Sequence, residues 1–392
     1  MNLRTGCCLL VALALWACTA GPTGEPWTQT PVSSLTPTFT RVVPTSASTH
    51  TPTTTPAPSP TAIPSPSPSP RPALPISPAN ASKLTLARQV EFSPWELVLS
   101  LAWSPDGALL AVAAGESIHL YDTSTFSETA RLDAQTWANQ MAFYPFPGTG
   151  AAQGYLLAAA GKDGNLQVWD TGSAQRVCVI AAHNKGANSV AFSPDGQWMA
   201  STGNDAIVRL WDIAPLLQEG SCELEVAAVM IGGAIAVPDI EFSPDGNLIA
   251  SVDLQAIRLR EVSSQRLART LRSDRSIFSL RFNPQGNILA SAESGAMVRL
   301  WGVASGELIA EMSEAASTTV FVWSVDFNPA GDLLAAGKSD GSISLWQVSS
   351  YLLTGSLAGH SRAVTGVAFS PDGFMLASGG LDAIMRIWQV KW

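Results

Sequence analysis

Charged residues are scarce in this sequence, and most of them are acidic. Lys, Arg, Asp and Glu make up 14% of the 392 residues, and the formal net charge is −9. Nucleic-acid binding depends on clustered Lys and Arg that neutralise phosphates, so nucleic acid is not an expected partner. Apolar residues account for 46% of the chain, which is enough to bury a large core.

Histidine and cysteine are also rare, with four histidines and five cysteines in the chain. No Ser-His-Asp cluster, phosphate-binding loop, zinc spacing or calcium loop is visible. Beyond Cys18 only Cys178 and Cys222 remain, and neither belongs to a C-x-x-C pair. The sequence therefore predicts neither a metal nor a cofactor.

Apolar runs long enough to span a bilayer are absent. The run from Cys7 to Ala17 follows one positive charge at Arg4, a pattern typical of a secretory signal that is removed. The run from Val226 to Val237, VAAVMIGGAIAV, is also too short. It is expected to supply buried strands divided by a glycine turn.

The stretch LWAC, which ends at Cys18, resembles the cleavage site of bacterial lipoproteins. In that family the cysteine becomes the lipidated first residue, so residues 1–18 are interpreted as a lipoprotein signal peptide. Trp16 departs from the family pattern, which has a small or β-branched residue there, and an ordinary signal cleaved near Ala20 is the alternative. The resemblance implies a bacterial cell envelope protein, lipid-anchored on the extracytoplasmic side, periplasmic or at the cell surface.

Residues 19–82 are rich in Pro, Thr and Ser, as in TPTTTPAPSPTAIPSPSPSPRP. Proline removes backbone donors and fixes φ, and Ser and Thr offer little burial, so no packed core is expected here. The composition favours extended polyproline II and predicts a disordered stalk that could carry O-linked glycans. A flexible tail without a spacing role is the alternative.

Residues 83–392 repeat one pattern. A turn of the type Ser-Pro-Asp-Gly or Asn-Pro-x-Gly separates two apolar runs, and about sixteen residues later another strand ends in an aromatic residue. Pro presets φ and Gly accepts a left-handed angle, so each turn predicts a hairpin. The aligned positions, 41 to 49 residues apart, are Tyr121, Trp169, Trp211, Arg260, Trp301, Trp346 and Trp388.

This tandem pattern resembles the WD-repeat family over about residues 84–392. The resemblance implies an all-β fold, a seven-bladed propeller of four-stranded antiparallel blades. The seventh unit shows only three strands, MRIWQ being its last. The segment from Ser82 to Glu91 is therefore expected to supply the fourth strand beside Ile384 to Lys391 and to close the ring.

In WD-repeat proteins, a His, a Ser or Thr, an Asp and a Trp of one blade hydrogen-bond in series. The resemblance implies two such networks, formed by His183, Ser201 or Thr202, Asp205 and Trp211, and by His360, Ser378, Asp382 and Trp388. Both histidines are thus interpreted as structural. Of the other two, His50 lies in the spacer and His119 is expected to be a core or rim residue.

The family also places the residues just before each first strand on one rim of the propeller. Those residues are Leu99, Asn139, Asn188, Pro238, Phe278, Trp323 and Thr365. Phe278 and Trp323, with Phe321 two residues earlier, predict an aromatic partner-binding site. The alternative is that these rings only pack against adjacent loops.

Two classes of function follow from this architecture. The first is a monomeric interaction scaffold whose loops bind a protein, a peptide or an envelope polymer. The second is a hydrolase or oxidoreductase with a site in the central channel, which the shortage of histidine disfavours and which a close cluster of channel carboxylates would favour. The scaffold is the expected function.

The two remaining cysteines are expected to stay apart. Counted from the aromatic position of their units, Cys178 and Cys222 fall in the outer strands of neighbouring blades. Equivalent positions on a rim are too distant for a disulfide.

Overall fold

The structure is a computed structural model that describes residues 74–148, 154–231, 233, 236–314 and 317–390. The lipidation site Cys18 and the predicted spacer up to residue 73 lie outside the described residues. The described chain forms seven sheets of four strands each. Neighbouring strands in every sheet are antiparallel, which confirms the predicted seven-bladed propeller.

Each blade starts at the central cavity and ends at the outer edge. The innermost strands are β2 (Val98–Trp103), β6 (Ala138–Pro147), β10 (Ala187–Phe192), β14 (Ile240–Phe242), β18 (Ile277–Phe282), β22 (Val322–Phe327) and β26 (Val364–Phe369). The second strands are β3 (Leu109–Ala114), β7 (Tyr155–Gly161), β11 (Trp198–Gly203), β15 (Leu248–Asp253), β19 (Ile288–Glu293), β23 (Leu333–Lys338) and β27 (Leu376–Gly380).

The outer half of each blade follows the same order. The third strands are β4 (Ser117–Asp122), β8 (Asn165–Asp170), β12 (Ile207–Asp212), β16 (Ala256–Glu261), β20 (Met297–Gly302), β24 (Ile343–Gln347) and β28 (Ile384–Val390). The outermost strands are β5 (Glu128–Asp133), β9 (Gln175–Ala181), β13 (Val226–Ile231), β17 (Leu267–Arg272), β21 (Leu308–Met312), β25 (Leu353–Leu357) and, in the seventh blade, β1 (Leu84–Glu91). A 3-10 turn (Ala81–Lys83) and a short helix α1 (Ala214–Glu219) complete the described elements.

The repeated turns adopt the geometry that their residues favour. Gly107 has a φ of 71° and Gly373 a φ of 74°, both in the left-handed region. In the first blade Ser104 Oγ donates to Asp106 Oδ1 at 2.6 Å and accepts the N–H of Leu109 at 2.9 Å. The Ser-Pro-Asp-Gly sequence thereby fixes the hairpin between the innermost and second strands.

The core lies between blades. Every hydrophobic cluster of buried residues joins two neighbouring sheets, as where Trp211 of the third blade packs with Val168 and Ile180 of the second. The last cluster joins the seventh blade to the first, with Met385 and Ile387 beside Val98. Burial between sheets is therefore continuous around the ring, and this burial supplies the main stabilisation.

The N-terminal strand closes the ring. β1 pairs antiparallel with β28, with Leu84 opposite Val390 and Glu91 opposite Ile384. This register confirms the predicted closure and covers what would otherwise be an exposed edge of the seventh blade.

The folded unit begins earlier than the predicted boundary at residue 83. Ile76 is 1% exposed, and its N–H donates to the carbonyl of Gly373 at 2.8 Å. Asn328 Nδ2 donates to the carbonyl of Ile76 at 3.0 Å. Residues assigned to the spacer by composition therefore pack onto the sixth and seventh blades, because one aliphatic side chain among the prolines finds a buried site.

The apolar run from Val226 to Val237 is buried only in part, although buried strands were expected. Its first part forms β13, an outermost strand, in which Val229 is 62% and Ile231 75% exposed. Met230 of this strand is buried and Ala228 packs against the same core cluster, and Val237 at the end of the run is fully buried there. An outermost strand has one face in solvent, and period-two alternation therefore exposes half of its residues whatever their hydrophobicity.

The expectation that the cysteines stay apart is wrong. Cys178 and Cys222 form a disulfide, with their Cα atoms 5.3 Å apart. Cys178 lies on β9, but Cys222 does not lie on an outermost strand: it follows α1 in the long connection between β12 and β13. That connection carries Cys222 back to the neighbouring blade, a path that the repeat spacing alone does not reveal.

Candidate binding site at the mouth of the central cavity

Six of the seven innermost strands begin with a β-bulge, at a residue that lines the central cavity. In β18 the pairing skips Phe278, and in β22 it skips Trp323. Four other innermost strands show the same irregularity, at Leu99, Asn139, Asn188 and Thr365. Bulges re-aim side chains, so a repeated bulge builds a ring of side chains at one end of the cavity.

The cavity itself has a volume of about 560 Å³ and is enclosed by all seven innermost strands. All seven rim residues predicted from the sequence, including Pro238 just before β14, line it. Its charged lining residues are Asp239, Glu241, Arg281 and Asp326. A volume of this size is typical of binding sites.

Three aromatic rings converge at the rim where the fifth and sixth blades meet. The ring centroids of Phe278 and Trp323 are 4.7 Å apart, and Phe321 lies 5.8 Å from Phe278 and 6.0 Å from Trp323. All three side chains are half-buried. The backbone of Phe321 is held by an antiparallel bridge to Ser294 and by a 2.9 Å hydrogen bond from its N–H to Ser339 Oγ.

We call Phe278, Phe321 and Trp323 the aromatic cluster. The structure brings all three predicted binding residues together. The rings pack against one another in tilted and edge-on geometries, which hold each ring in place while leaving part of its surface accessible. Such rigid, partly exposed aromatic surface is a typical composition for an interaction site.

Deeper in the cavity, three carboxylates surround one guanidinium. Arg281 Nη1 donates to Glu241 Oε1 at 3.1 Å. Arg281 Nε lies 3.1 Å from Asp326 Oδ1, an ion-pair distance without the alignment of a hydrogen bond. Asp239 completes this arginine cluster, which spans the fourth, fifth and sixth blades.

Burial controls the ionisation of the arginine cluster. It raises the pKa of Glu241 to about 7, although the charge of Arg281 and the N–H of Phe282 act in the opposite direction. It also raises the pKa values of Asp239 and Asp326. Burial alone would lower the pKa of Arg281, but the neighbouring carboxylates outweigh it and raise that pKa above its usual value.

The same carboxylates link adjacent blades. Asp239 Oδ2 accepts the N–H of Leu280 at 2.9 Å, and Glu241 Oε2 accepts the N–H of Phe282 at 2.7 Å. Asp326 Oδ2 accepts the N–H of Phe369 at 2.7 Å. The cavity-facing edge of an innermost strand has no strand partner, so side chains of the preceding blade satisfy its donors.

Uncharged side chains make equivalent links elsewhere in the ring. Ser100 Oγ accepts the N–H of Met141 at 3.3 Å, and Ser324 Oγ accepts the N–H of Val367 at 3.1 Å. The carboxylates of the arginine cluster thus occupy positions with a structural role. A close group of carboxylates in the channel would favour an enzyme, and Asp239, Glu241 and Asp326 do lie close together. Each of them, however, already accepts a backbone N–H of the next blade.

Both networks predicted from the resemblance are brought together by the structure. In the third blade His183 Nδ1 lies 2.8 Å from Asp205 Oδ1 and its Nε2 lies 2.9 Å from Ser201 Oγ, which also accepts Trp211 Nε1–H at 3.0 Å. Ser201 or Thr202 was expected to join His183 to Trp211, and the structure shows that Ser201 does so. Thr202 Oγ1 is buried without a partner in the described part of the chain.

The seventh blade repeats this arrangement. His360 Nδ1 lies 2.9 Å from Asp382 Oδ1, and its Nε2 lies 2.8 Å from Ser378 Oγ. Ser378 Oγ also accepts Trp388 Nε1–H at 2.8 Å. Arg386 adds a donor that the sequence pattern did not include, with Nη1 3.1 Å from Asp382 Oδ2.

A third network, in the fifth blade, has no histidine. Trp301 Nε1–H donates to Ser291 Oγ at 2.9 Å, and Ser291 Oγ–H donates to Glu293 Oε1 at 2.6 Å. Glu293 is fully buried and accepts Arg299 Nη1–H at 2.9 Å. The ten-residue separation of Ser and Trp is shared with the two histidine networks and is the sequence signal that could have found it.

Two further observations bear on chemistry. His119 is buried with Nδ1 2.9 Å from Glu128 Oε1, while its Nε2 has no partner among the described residues. Within the described ranges no group of three or more His, Cys, Asp and Glu side chains is arranged to hold a metal ion. The helices there are also too short or too polar to cross a membrane.

Comparison with protein families finds the repeat unit four times. The WD domain, G-beta repeat, matches residues 90–122, 174–212, 306–347 and 351–389. The Anaphase-promoting complex subunit 4 WD40 domain matches residues 240–326. The matched ranges include at least one strand of every blade, although only the outermost strand β9 represents the second blade, and together they support a WD-repeat propeller.

Curated relatives share part of the chain. "Nuclear distribution protein PAC1" of Arthroderma otae is 27% identical over 53% of this chain and 50% of its own length. "Transcription initiation factor TFIID subunit 5" of Caenorhabditis elegans is 23% identical over 53% of this chain and 30% of its own length. "Centriole proteome protein 16" of Chlamydomonas reinhardtii is 30% identical over 52% of this chain and 10% of its own length. The chain spans half or less of these relatives.

Proposed function

We propose that this WD-repeat propeller is an interaction scaffold that binds a protein, a peptide or an envelope polymer through the aromatic cluster. The observation that carries the proposal is the convergence of Phe278, Phe321 and Trp323 at the mouth of a 560 Å³ cavity. Rigid aromatic side chains provide large contact area at low entropic cost, so they frequently dominate the binding energy of an interface.

The names of the similar proteins support a partner-binding role. The matching WD40 domain is named for a subunit of the anaphase-promoting complex, and the relative from Caenorhabditis elegans is named as a subunit of a transcription initiation factor. Both names describe components of larger assemblies. The matches cover half or less of the length of these relatives, so the partner of this chain is inferred from the chemistry of its own site.

A channel enzyme is the less favoured function. Asp239, Glu241 and Asp326 lie close together, as a carboxylate site would require, but each accepts a backbone N–H. Each carboxylate thus links neighbouring blades, as Ser100 and Ser324 do at equivalent positions of the ring. Carboxylates committed to the blades and to Arg281 support the scaffold proposal over the enzyme.

We also propose that the scaffold is held at the outer face of a bacterial membrane through lipidated Cys18. The Cys178–Cys222 disulfide supports a compartment outside the cytoplasm, since disulfides persist in oxidising environments. Mass spectrometry of the mature protein should find an acylated N-terminal cysteine, and Cys18→Ser should release an unprocessed or soluble form. An unmodified N-terminus at another residue would overturn the anchor without affecting the binding proposal.

Affinity capture tests the binding site. The mature chain and its Trp323→Ala variant are immobilised and exposed to envelope extract, and the retained proteins and polymers are compared. Loss of the large ring is expected to weaken binding by more than about 1 kcal/mol while leaving the melting temperature nearly unchanged. Trp95→Ala is the matched control, because Trp95 is 84% exposed and lies outside the cavity. Equal retention by all three proteins would reject the site.

A further inference from the structure

We infer that the partner is a peptide segment carrying a Lys or Arg side chain, which passes the aromatic cluster and ends beside Glu241 and Asp326. This inference rests on the proposed function, since it names the chemistry recognised at the same site. Its grounds are the charge of the cavity lining, the accessibility of the arginine cluster and the affinity of aromatic faces for cations.

The cavity lining is negatively charged. Its acidic residues are three, Asp239, Glu241 and Asp326, and its basic residue is Arg281. With every group ionised, the lining therefore has two negative charges more than positive ones. The whole chain is acidic in the same sense, with a formal net charge of −9. A cationic group is the complement of this wall, and an acidic one would be repelled.

The charged groups can be reached from the cavity. The side chains of Glu241 and Asp326 are 18% and 14% exposed, and that of Arg281 is 39% exposed. Each carboxylate has two oxygens with several acceptor positions, and the bonds to backbone N–H groups use only part of that capacity. An ammonium or guanidinium group can therefore add donors without displacing the bonds between blades.

The ionisation of these groups favours an additional cation. Burial raises the pKa of Glu241 to about 7 in spite of Arg281, so the charge of one guanidinium does not fully compensate the buried carboxylates. A second positive charge within reach would stabilise the ionised form. The cavity thus offers electrostatic stabilisation that its own side chains leave unused.

Two members of the aromatic cluster share their innermost strands with charged groups of the cavity. Phe278 and Arg281 belong to β18, and Trp323 and Asp326 belong to β22. A basic side chain has an apolar stem and a charged end, so it can lay its methylene groups along the rings and extend its charge into the cavity. The faces of Trp and Phe also attract cations directly.

Defined peptides test the inference. Fluorescently labelled twelve-residue peptides with one Gly/Ser/Leu background carry Arg, Lys, norleucine or Glu at the central position, and their binding to the mature protein is followed by anisotropy. Arg and Lys peptides are expected to bind, with the norleucine peptide about tenfold weaker and the Glu peptide weaker still. Raising the salt concentration should reduce only the advantage of the basic peptides.

Two charge variants locate the contact. Glu241→Gln and Asp326→Asn keep an oxygen that can accept the N–H of Phe282 or Phe369, but neither side chain can ionise to pair with a cation. Either variant is expected to reduce the preference for Arg over norleucine about tenfold. Having two variants keeps the test valid if one of them fails to fold, as judged by its melting temperature.

The outcomes separate the two proposals. If peptides or a captured partner bind in a Trp323-dependent way but without preference for a basic residue, the scaffold proposal stands and the cationic inference is overturned. If the basic peptides do not bind while a captured partner depends on Trp323, the inference is again overturned. If neither peptides nor captured partners respond to Trp323→Ala, the proposed site itself is rejected. If both charge variants lose the preference for basic peptides over the norleucine peptide, the inference is supported.

Discussion

Burial raises the pKa of the carboxyl groups in this propeller, whereas hydrogen bonds to the carboxylate lower it. Which of the two effects prevails differs between residues. At Asp382 burial alone would raise the pKa, but the hydrogen bond with His360 and the N–H of Ser361 outweigh it and lower that pKa to about 2. At Glu241 burial prevails and raises the pKa to about 7. These two groups should therefore affect stability in opposite directions as the pH changes.

Asp382 should stabilise the fold at all but strongly acidic pH. Its pKa is lower in the folded state than its ordinary value of 3.8, so its contribution is present above about pH 4 and is lost as the pH falls toward 2. Asp382→Asn removes this titration. The melting temperature of the variant should lie below that of the wild type at neutral pH, and the gap should narrow between pH 4 and pH 2.

The control is Asp133→Asn, at an exposed aspartate on β5. This change should leave the acid profile close to that of the wild type. A gap between wild type and Asp382→Asn that stays constant down to pH 2 would contradict the role assigned to the network of the seventh blade.

Glu241 should destabilise the fold at alkaline pH. Its folded-state pKa is about 7 against an ordinary value of 4.5, so the folded state holds a proton that the unfolded state has released between these values. Stability from this group is present below about pH 4.5 and is lost as the pH rises through 7. Relative to the wild type, the melting temperature of Glu241→Gln should therefore rise between pH 5 and pH 8; a constant difference would show that Glu241 does not titrate in this range.

Individual residues were predictable where the resemblance to the WD-repeat family supplied a position for them. The resemblance implies a network of His360, Ser378 and Trp388, and the structure joins them. The arginine cluster was not predictable, because Glu241, Arg281 and Asp326 come from three blades and none is unusual within its own strand. Their proximity depends on the curvature of the ring, which no local spacing contains.

At the scale of elements, the strands follow local chemistry, and the departures lie in the connections. Pro and Gly in the turns and alternation in the strands predict the hairpins that the structure contains. The connection between β12 and β13 has no repeat, and it contains both α1 and Cys222. The path of this connection was therefore not predictable. No disulfide was expected because the spacing placed Cys222 on an outermost strand, where it does not lie.

The disulfide should stabilise the second and third blades together. It closes a loop of 44 residues, for which the loss of chain entropy in the unfolded state is worth about 4 kcal/mol as an upper value. Cys222→Ala should lower the free energy of unfolding by about 2 to 4 kcal/mol in denaturant titrations under oxidising conditions. Cys222 is exposed, so loss of packing at this site should contribute little.

Reduction provides the matched comparison for this prediction. Dithiothreitol should lower the stability of the wild type to that of Cys222→Ala and should leave the variant unchanged. Identical stability of the oxidised and reduced wild type would show that the disulfide does not contribute to the folded state.

At the scale of the whole molecule, the two ends of the described chain hold the ring together. β1 completes the seventh blade, and the residues before it continue across the same region to Ile76. Ring closure could be predicted from the incomplete seventh unit and from the resemblance of Ser82 to Glu91 to other outermost strands. The site of Ile76 could not be predicted, since Pro and Ser around it are typical of a spacer and its partners are more than 250 residues away.

Truncation from the N-terminus should therefore reduce stability in two steps. A chain that starts at Leu74 keeps every described contact, so its melting temperature should equal that of the full mature protein. A chain that starts at Pro78 loses Ile76, which is 1% exposed, and burial of such a side chain is worth roughly 1.5 to 3 kcal/mol. A chain that starts at Phe92 also loses β1, which leaves the edge of β28 unpaired and should cause aggregation. Melting temperature and light scattering of the three proteins distinguish these steps, and equal values for the chains that start at Leu74 and Phe92 would show that β1 is not needed to close the ring.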